Sequence, residues 1–175
     1  MTVLSALARL YFDIAIWRRG PQHVPAVGIL LPFTIAVYIL VNAMLSGLAP
    51  GLRAHWPAQL AIDVLFMCVW YWLLLVLMRR RERFMQMAVA IFGYQTVLAP
   101  LFALDGALML HFSGDAALSI PAYLLSFALL VWTIVALAHI LRAALERPLG
   151  LCLALAFTQV AVEEWLLYLL FDPRT

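Results

Sequence analysis

Five apolar runs, each long enough for a bilayer-crossing helix, follow one another along this chain with only short polar breaks. A crossing needs roughly 20 apolar residues. Lipid offers the backbone no hydrogen-bond partners, so such runs fold as helices that satisfy their own amides. Of the 175 residues, 67% are hydrophobic and 11% charged. A soluble domain is nearer half apolar and one quarter charged. So few polar groups cannot cover a water-facing surface, and lipid must cover it instead. Five helices with short loops nearly exhaust the chain and leave no room for a soluble catalytic domain.

The expected fold is all-α: an N-terminal interfacial amphipathic helix and linker over 1–23, then a five-helix transmembrane bundle over 24–175. The spans fall at about 24–48, 58–78, 84–112, 121–141 and 149–171. Residues 2–18 are too short and too charged to cross. Leu4, Leu7, Leu10, Tyr11, Ile14 and Trp17 recur at helical spacing, while Arg9 and Asp13 take another face. This pattern predicts a helix lying in the headgroup layer with its apolar face in lipid. Gly20-Pro21 ends it. Broken by Arg9, Asp13, Arg18 and Arg19, the first apolar stretch does not resemble a cleavable signal peptide. Gly93 and Pro100 predict a kink or break in the third span. Pro121 is placed in the first turn of the fourth, where a missing N–H does no harm.

Arginines set the expected orientation, because basic residues collect on the cytoplasmic side. Arg9, Arg18, Arg19, Arg79, Arg80, Arg81, Arg83, Arg142 and Arg147 fall in segments of one side, against Arg53 and Arg174 on the other. The N-terminus is therefore expected inside and the C-terminus outside. Lysine is absent and Ala and Leu are abundant. This is the composition of a GC-rich bacterial genome, and the expected location is the bacterial inner membrane. The net charge of +2 is spread over several loops, so nucleic acid is not an expected partner. Cys68 and Cys152 lie inside apolar runs and read as packing residues rather than a disulfide or metal site.

Acids at depth are the candidate functional groups. By the helical rise, Asn42 and Asp63 lie about 9 Å from the outer ends of their spans, Asp105 about 10 Å, and Glu163 and Glu164 about 11–12 Å. Embedded acids are costly and face protein or water. Cys152, Ala156, Gln159 and Glu163 share a small-to-polar stripe, which places Glu163 inward and Glu164 at the edge. Gln59 and Asp63 share a face of the second span. One reading is a proton or cation site of Asp63, Asp105 and Glu163, with Asn42 and Gln59 beside it. The other is a hydrated vestibule, or neutral acids that fix packing.

The Arg79, Arg80, Arg81 and Arg83 cluster is both a stop-transfer signal and a candidate contact for anionic lipid or an acidic partner. His139 and Arg142 end the fourth span one turn before Glu146, as an ion-paired helix end. His55, His111 and Asp115 match no metal spacing. No phosphate-binding, dinucleotide-binding, nucleophile-elbow or zinc-protease motif occurs. No cofactor or metal is expected.

Tyr11-Phe12-Asp13 through Arg19-Gly20-Pro21-Gln22, Phe92-Gly93-Tyr94 with Pro100, and Trp132 before a final span resemble the Yip1-type membrane proteins. The resemblance implies five spans and a cytoplasmic N-terminus, an architecture rather than an activity. The functional expectation is a non-enzymatic membrane protein acting through lateral contacts with lipid, other membrane proteins or itself. The alternative is a small transporter or proton- or cation-conducting subunit using the embedded acids.

Overall fold

The computed structural model describes residues 3–25, 27–48, 55–112 and 116–171. Six α-helices make up the fold: α1 (Val3–Ala15), α2 (Leu30–Leu48), α3 (Trp56–Leu77), α4 (Phe84–His111), α5 (Ala116–Leu145) and α6 (Leu149–Phe171). No strand occurs among the described residues. Four of the helices, α3 to α6, are long and apolar enough to cross a bilayer, the build of a multi-pass membrane protein. The apolar stretch of α2, Leu30–Ser46, is shorter.

Two expected boundaries move. The helix expected as the first span begins at Leu30 rather than at 24, because Pro25 pushes Val24 into extended backbone and removes an amide. Val24 has ψ 127°, and α2 starts only beyond Gly28, with Pro32 in its first turn. The helix expected as the fourth span begins at Ala116, so Pro121 lies inside α5 rather than in its first turn. α4 runs continuously through Pro100. The loop residues 49–54, Asp115 and the C-terminal 172–175 lie outside the described residues.

α4 is the centre of the bundle. Met87 through Tyr94 are buried without interruption, so this helix meets protein on every side over two turns. α1, α2, α3 and α5 all pack on it. α6 packs mainly on α5 and touches α3. The opposite faces of α2, α3, α5 and α6 carry exposed apolar side chains such as Leu40, Leu77, Phe127 and Trp165.

One end of the bundle is tied by charge. Arg80 Nη2 and Arg83 Nη2 each reach a Glu146 carboxylate oxygen at 2.5 Å. Arg83 Nη1 also donates to the carbonyls of Ala143 and Ala144 at 3.1 and 3.2 Å, capping the end of α5. Glu146 therefore pairs across the bundle and not with Arg142 one turn away, as the sequence spacing predicted. The reason is backbone direction: Glu146 has φ 55°, and this left-handed residue carries its side chain out of the α5 stack.

The largest departure concerns α1. Its apolar face is buried in protein, not lipid: Leu10, Tyr11, Ile14 and Ala15 join the main core, with Ile14 at 0% exposure. The Tyr11 hydroxyl lies 2.7 Å from Thr34 Oγ1. Because that threonine already donates to the Leu30 carbonyl, the tyrosine is the donor. The Tyr11 ring lies flat against Gly93, where any Cβ would come within 2.4 Å of it. Trp132 Nε1 donates to the Ala15 carbonyl at 2.9 Å, and its ring meets Trp17 at 5.6 Å. Amphipathicity says that a face must be covered, not what covers it. α1 ends at Ala15 with Trp17 in the left-handed region (φ 62°). Arg18 N donates to Asp13 O at 2.8 Å and Trp17 N to Ile14 O at 3.0 Å, closing the helix end.

Candidate functional site

The polar groups of the core gather where α2, α3, α4 and α6 converge. Asp63, on the inward stripe of α3 with Met67 and Tyr71, accepts a hydrogen bond from the Tyr38 hydroxyl of α2 at 2.6 Å. The Tyr38 ring is fixed by Phe92 of α4, with centroids 5.4 Å apart. Facing Asp63 across the α3–α6 contact is Glu163, whose carboxyl group is close enough to interact directly with that of Asp63. One turn along α6 is Gln159, whose Oε1 accepts from the Tyr71 hydroxyl. The Tyr94 hydroxyl, on α4, completes the group, with Asp63 and Glu163 both near it.

Small side chains on α6 make this convergence possible. Cys152 and Ala156 are fully buried and let α6 approach its neighbours, and Gln159 at 1% exposure continues their stripe. Glu163 ends the stripe half-buried, whereas Glu164 faces outward and is exposed.

Depth follows from the helical rise, because the ends of α3, α4 and α6 are held level by the Arg80, Arg83 and Glu146 pairs. Measured from that arginine-bearing end, Tyr71 starts about 9 Å up, Tyr94 and Gln159 about 15 Å, and Asp63 and Glu163 about 21 Å. The carboxyl pair thus sits in the half of the bundle away from the arginines.

The expected acid site is only partly assembled. Asp63 and Glu163 come together, but Asp105 does not join them. Both of its carboxylate oxygens accept from Ser126 Oγ of α5, at 2.9 and 2.7 Å. That places Asp105 in the α4–α5 seam, about three helical turns along α4 from Tyr94. Asn42 turns back on its own helix and donates to the Tyr38 carbonyl at 2.9 Å. Gln59 lies one turn beyond Asp63, half-buried, with its Oε1 unbonded among the described groups. Of the arginine cluster, Arg80 and Arg83 are taken by Glu146, while Arg79 and Arg81 are exposed.

The three tyrosines around the carboxyl pair are the site residues that sequence reasoning did not single out. A signal existed for one of them: Tyr71 follows Asp63 by two helical turns on the same stripe. Tyr38 and Tyr94 belong to other helices, and no spacing within one segment connects them to an acid.

No three His, Cys, Asp or Glu side chains come together among the described residues. His55 instead stacks on Phe171 at 6.0 Å, closing the far end of α3 on α6. Cys68 and Cys152 are both free. A cleft of about 360 Å³ opens at the arginine-bearing end, lined by Pro21, Gln22, Arg83, Gln86 and Glu146 among others. It lies well away from the carboxyl pair.

Comparison with protein-family models, with curated proteins and with solved structures yields no match.

Proposed function

We propose that this chain is a non-enzymatic, five-span protein of a bacterial inner membrane that handles protons through the Asp63–Glu163 pair. α2 is the fifth span, the N-terminus is cytoplasmic and the C-terminus is outside. Kinship with the Yip1-type proteins belongs to the same proposal and rests on the layout and on Gly93-Tyr94 with Pro100 in α4.

One observation carries the reading: two carboxyl groups meet inside an apolar bundle, with a tyrosine hydroxyl on one of them. Two ionised carboxylates cannot rest against each other at low dielectric unless positive charge lies between them. A single shared proton meets that need. Tyr38 donates to Asp63 Oδ2, which leaves the other carboxyl oxygens of the pair to hold that proton. A group of this kind binds and releases one proton with little rearrangement, which is what a conducting or proton-coupled site requires.

The second reading, lateral contact with lipid or membrane proteins, is favoured by the exposed Arg79 and Arg81, which are available to anionic headgroups at the rim.

The test uses the purified full chain in liposomes that hold a trapped pH dye, under a potassium diffusion potential. The wild type is expected to admit protons. Glu163→Gln and Asp63→Asn are expected to fall to the rate of protein-free liposomes while melting as the wild type does. Equal flux from all three proteins would remove the proton reading and leave lateral contact.

A further inference from the structure

Glu164 stands where an acid is out of place. By the helical rise it lies about 22 Å from the arginine-bearing end of α6 and about 10 Å short of the other end. A hydrocarbon core is about 30 Å thick, so Glu164 falls inside it. The residue is nonetheless exposed. Among the described residues no donor or cation reaches it: the ion pairs engage Asp13 and Glu146, and the hydroxyl donors go to Asp63 and Asp105. Within the described parts of α3 to α6, Glu164 is the one exposed acidic or basic side chain more than a turn from a helix end. The exposed faces of the other helices, with Leu40, Leu77 and Phe127, ask for nothing but lipid.

A carboxyl group held against lipid at that depth is costly and calls for a polar partner. The face around it suits a helix. Gly150, Ala154, Phe157, Ala161, Glu164 and Tyr168 recur at three- and four-residue steps and are all exposed. They lie opposite the Cys152, Ala156 and Gln159 stripe, which faces the bundle. Beyond Gly150 the space is open, since a Cβ there would meet nothing within 4 Å. Phe157, 61% exposed, stands between Ala154 and Ala161. One large ring flanked by two small side chains is self-complementary: the ring of one helix rests against the small residues of its copy. α6 is also the least covered of the four long apolar helices.

We propose that the outward face of α6 is the interface between two copies of this chain, centred on contact between their Glu164 carboxyl groups. Copies inserted in one orientation are related by a two-fold axis along the membrane normal. That symmetry sets the two α6 helices parallel and brings each Glu164 to the same depth as the other. A second copy therefore supplies a polar group at the required level by construction, which no other partner does. The two groups meet as neutral acids, each O–H donating to the carbonyl oxygen of the other, so neither charge is left in lipid. The interface does not depend on the proton reading of the Asp63–Glu163 pair. It makes lateral contact specific to one helix and one partner.

Two measurements on the purified full chain in liposomes test this. The first is energy transfer between donor- and acceptor-labelled copies as the protein-to-lipid ratio is varied. The wild type is expected to dimerise. Glu164→Gln keeps a donor and an acceptor and is expected to associate nearly as well. Glu164→Leu is expected to weaken association by on the order of tenfold, the effect of losing a polar contact between helices in lipid. Ala161→Trp, which fills the space the second helix needs, is expected to weaken it as well. All three positions of change face away from the bundle, so in dilute detergent each variant is expected to melt as the wild type does. The second measurement is disulfide formation between copies under mild oxidation. Ala161→Cys is expected to cross-link, whereas Tyr123→Cys, equally exposed but on α5, and the wild type with its Cys68 and Cys152 are not. A wild type that stays monomeric at every ratio would overturn the proposal and leave Glu164 to a basic side chain of another membrane protein. Dimers that form equally well in Glu164→Leu and Ala161→Trp would overturn it too, because the contact would then use another face. Neither result bears on flux through the carboxyl pair, which Glu163→Gln decides separately.

Discussion

Replacing Gly93 by alanine tests the docking of α1 directly. The added methyl would lie 2.4, 2.6 and 2.7 Å from three carbons of the Tyr11 ring. Carbons pack at about 3.5–4.0 Å, so the overlap exceeds about 0.8 Å at every one of them, and the ring must move. Overpacking of this kind costs about 1–3 kcal/mol. If the ring leaves altogether, its burial and the hydroxyl bond to Thr34 go with it, about 2–4 kcal/mol together. Alanine recovers at most about 1 kcal/mol through helix propensity. The net expectation is a loss of about 2 kcal/mol, read as a lower melting temperature in mild detergent. The decisive arm is the same substitution in a Tyr11→Ala background. With the ring gone, nothing opposes the methyl, and Gly93→Ala should be neutral or stabilising by up to about 1 kcal/mol. An equal loss in both backgrounds would refute the argument, because glycine would then be needed for some reason other than the α1 contact.

The remaining expectations concern charge and topology. Arg83 first, and then Arg80, hold the Glu146 carboxyl below its usual range. Its contribution to stability is therefore present above the ordinary carboxylate range and lost as pH falls through the depressed value. A melting-temperature profile from neutral to acid should lose a small, salt-sensitive step in Glu146→Gln, and a profile identical to the wild type would show that the pairs do not matter. For the proposed orientation, a reporter that works only outside the cytoplasm should be active when fused after Thr175. Activity from a cytoplasmic reporter at that position would mean that the number of crossings is even, with α2 the first helix to re-examine.

Much of the fold was legible because single segments declare themselves. The third span was expected at 84–112 and is α4, Phe84–His111; the fifth was expected at 149–171 and is α6, Leu149–Phe171. Errors arose where proline stands near an end. Pro25 delays α2, and Pro121 is tolerated six residues into α5. The stripe Cys152, Ala156, Gln159 and Glu163 could be read from spacing alone, since side-chain size and polarity vary together along it. What spacing cannot supply is a partner. Asp105 was grouped with Asp63 by depth, yet its partner is Ser126 on the neighbouring helix. Glu146 pairs with Arg80 and Arg83, distant in sequence. The carboxyl pair was reachable by depth and facing, and Tyr71 by its stripe with Asp63, whereas Tyr38 and Tyr94 were not, because each stands on a helix of its own.

The docking of α1 also has a consequence for the order of events during synthesis. Ala15 and the Trp132 that binds it are separated by 117 positions, and Gly93 likewise emerges long after Tyr11. When α1 leaves the ribosome, neither of its receptors exists. Its apolar face must spend that interval against something else, and a membrane surface is the nearest apolar phase. Lipid is then a temporary occupant, displaced when α4 and α5 arrive. A helix built this way carries two addresses in one face, the first read early and the second late, and a strengthened hold on the first would delay completion of the bundle.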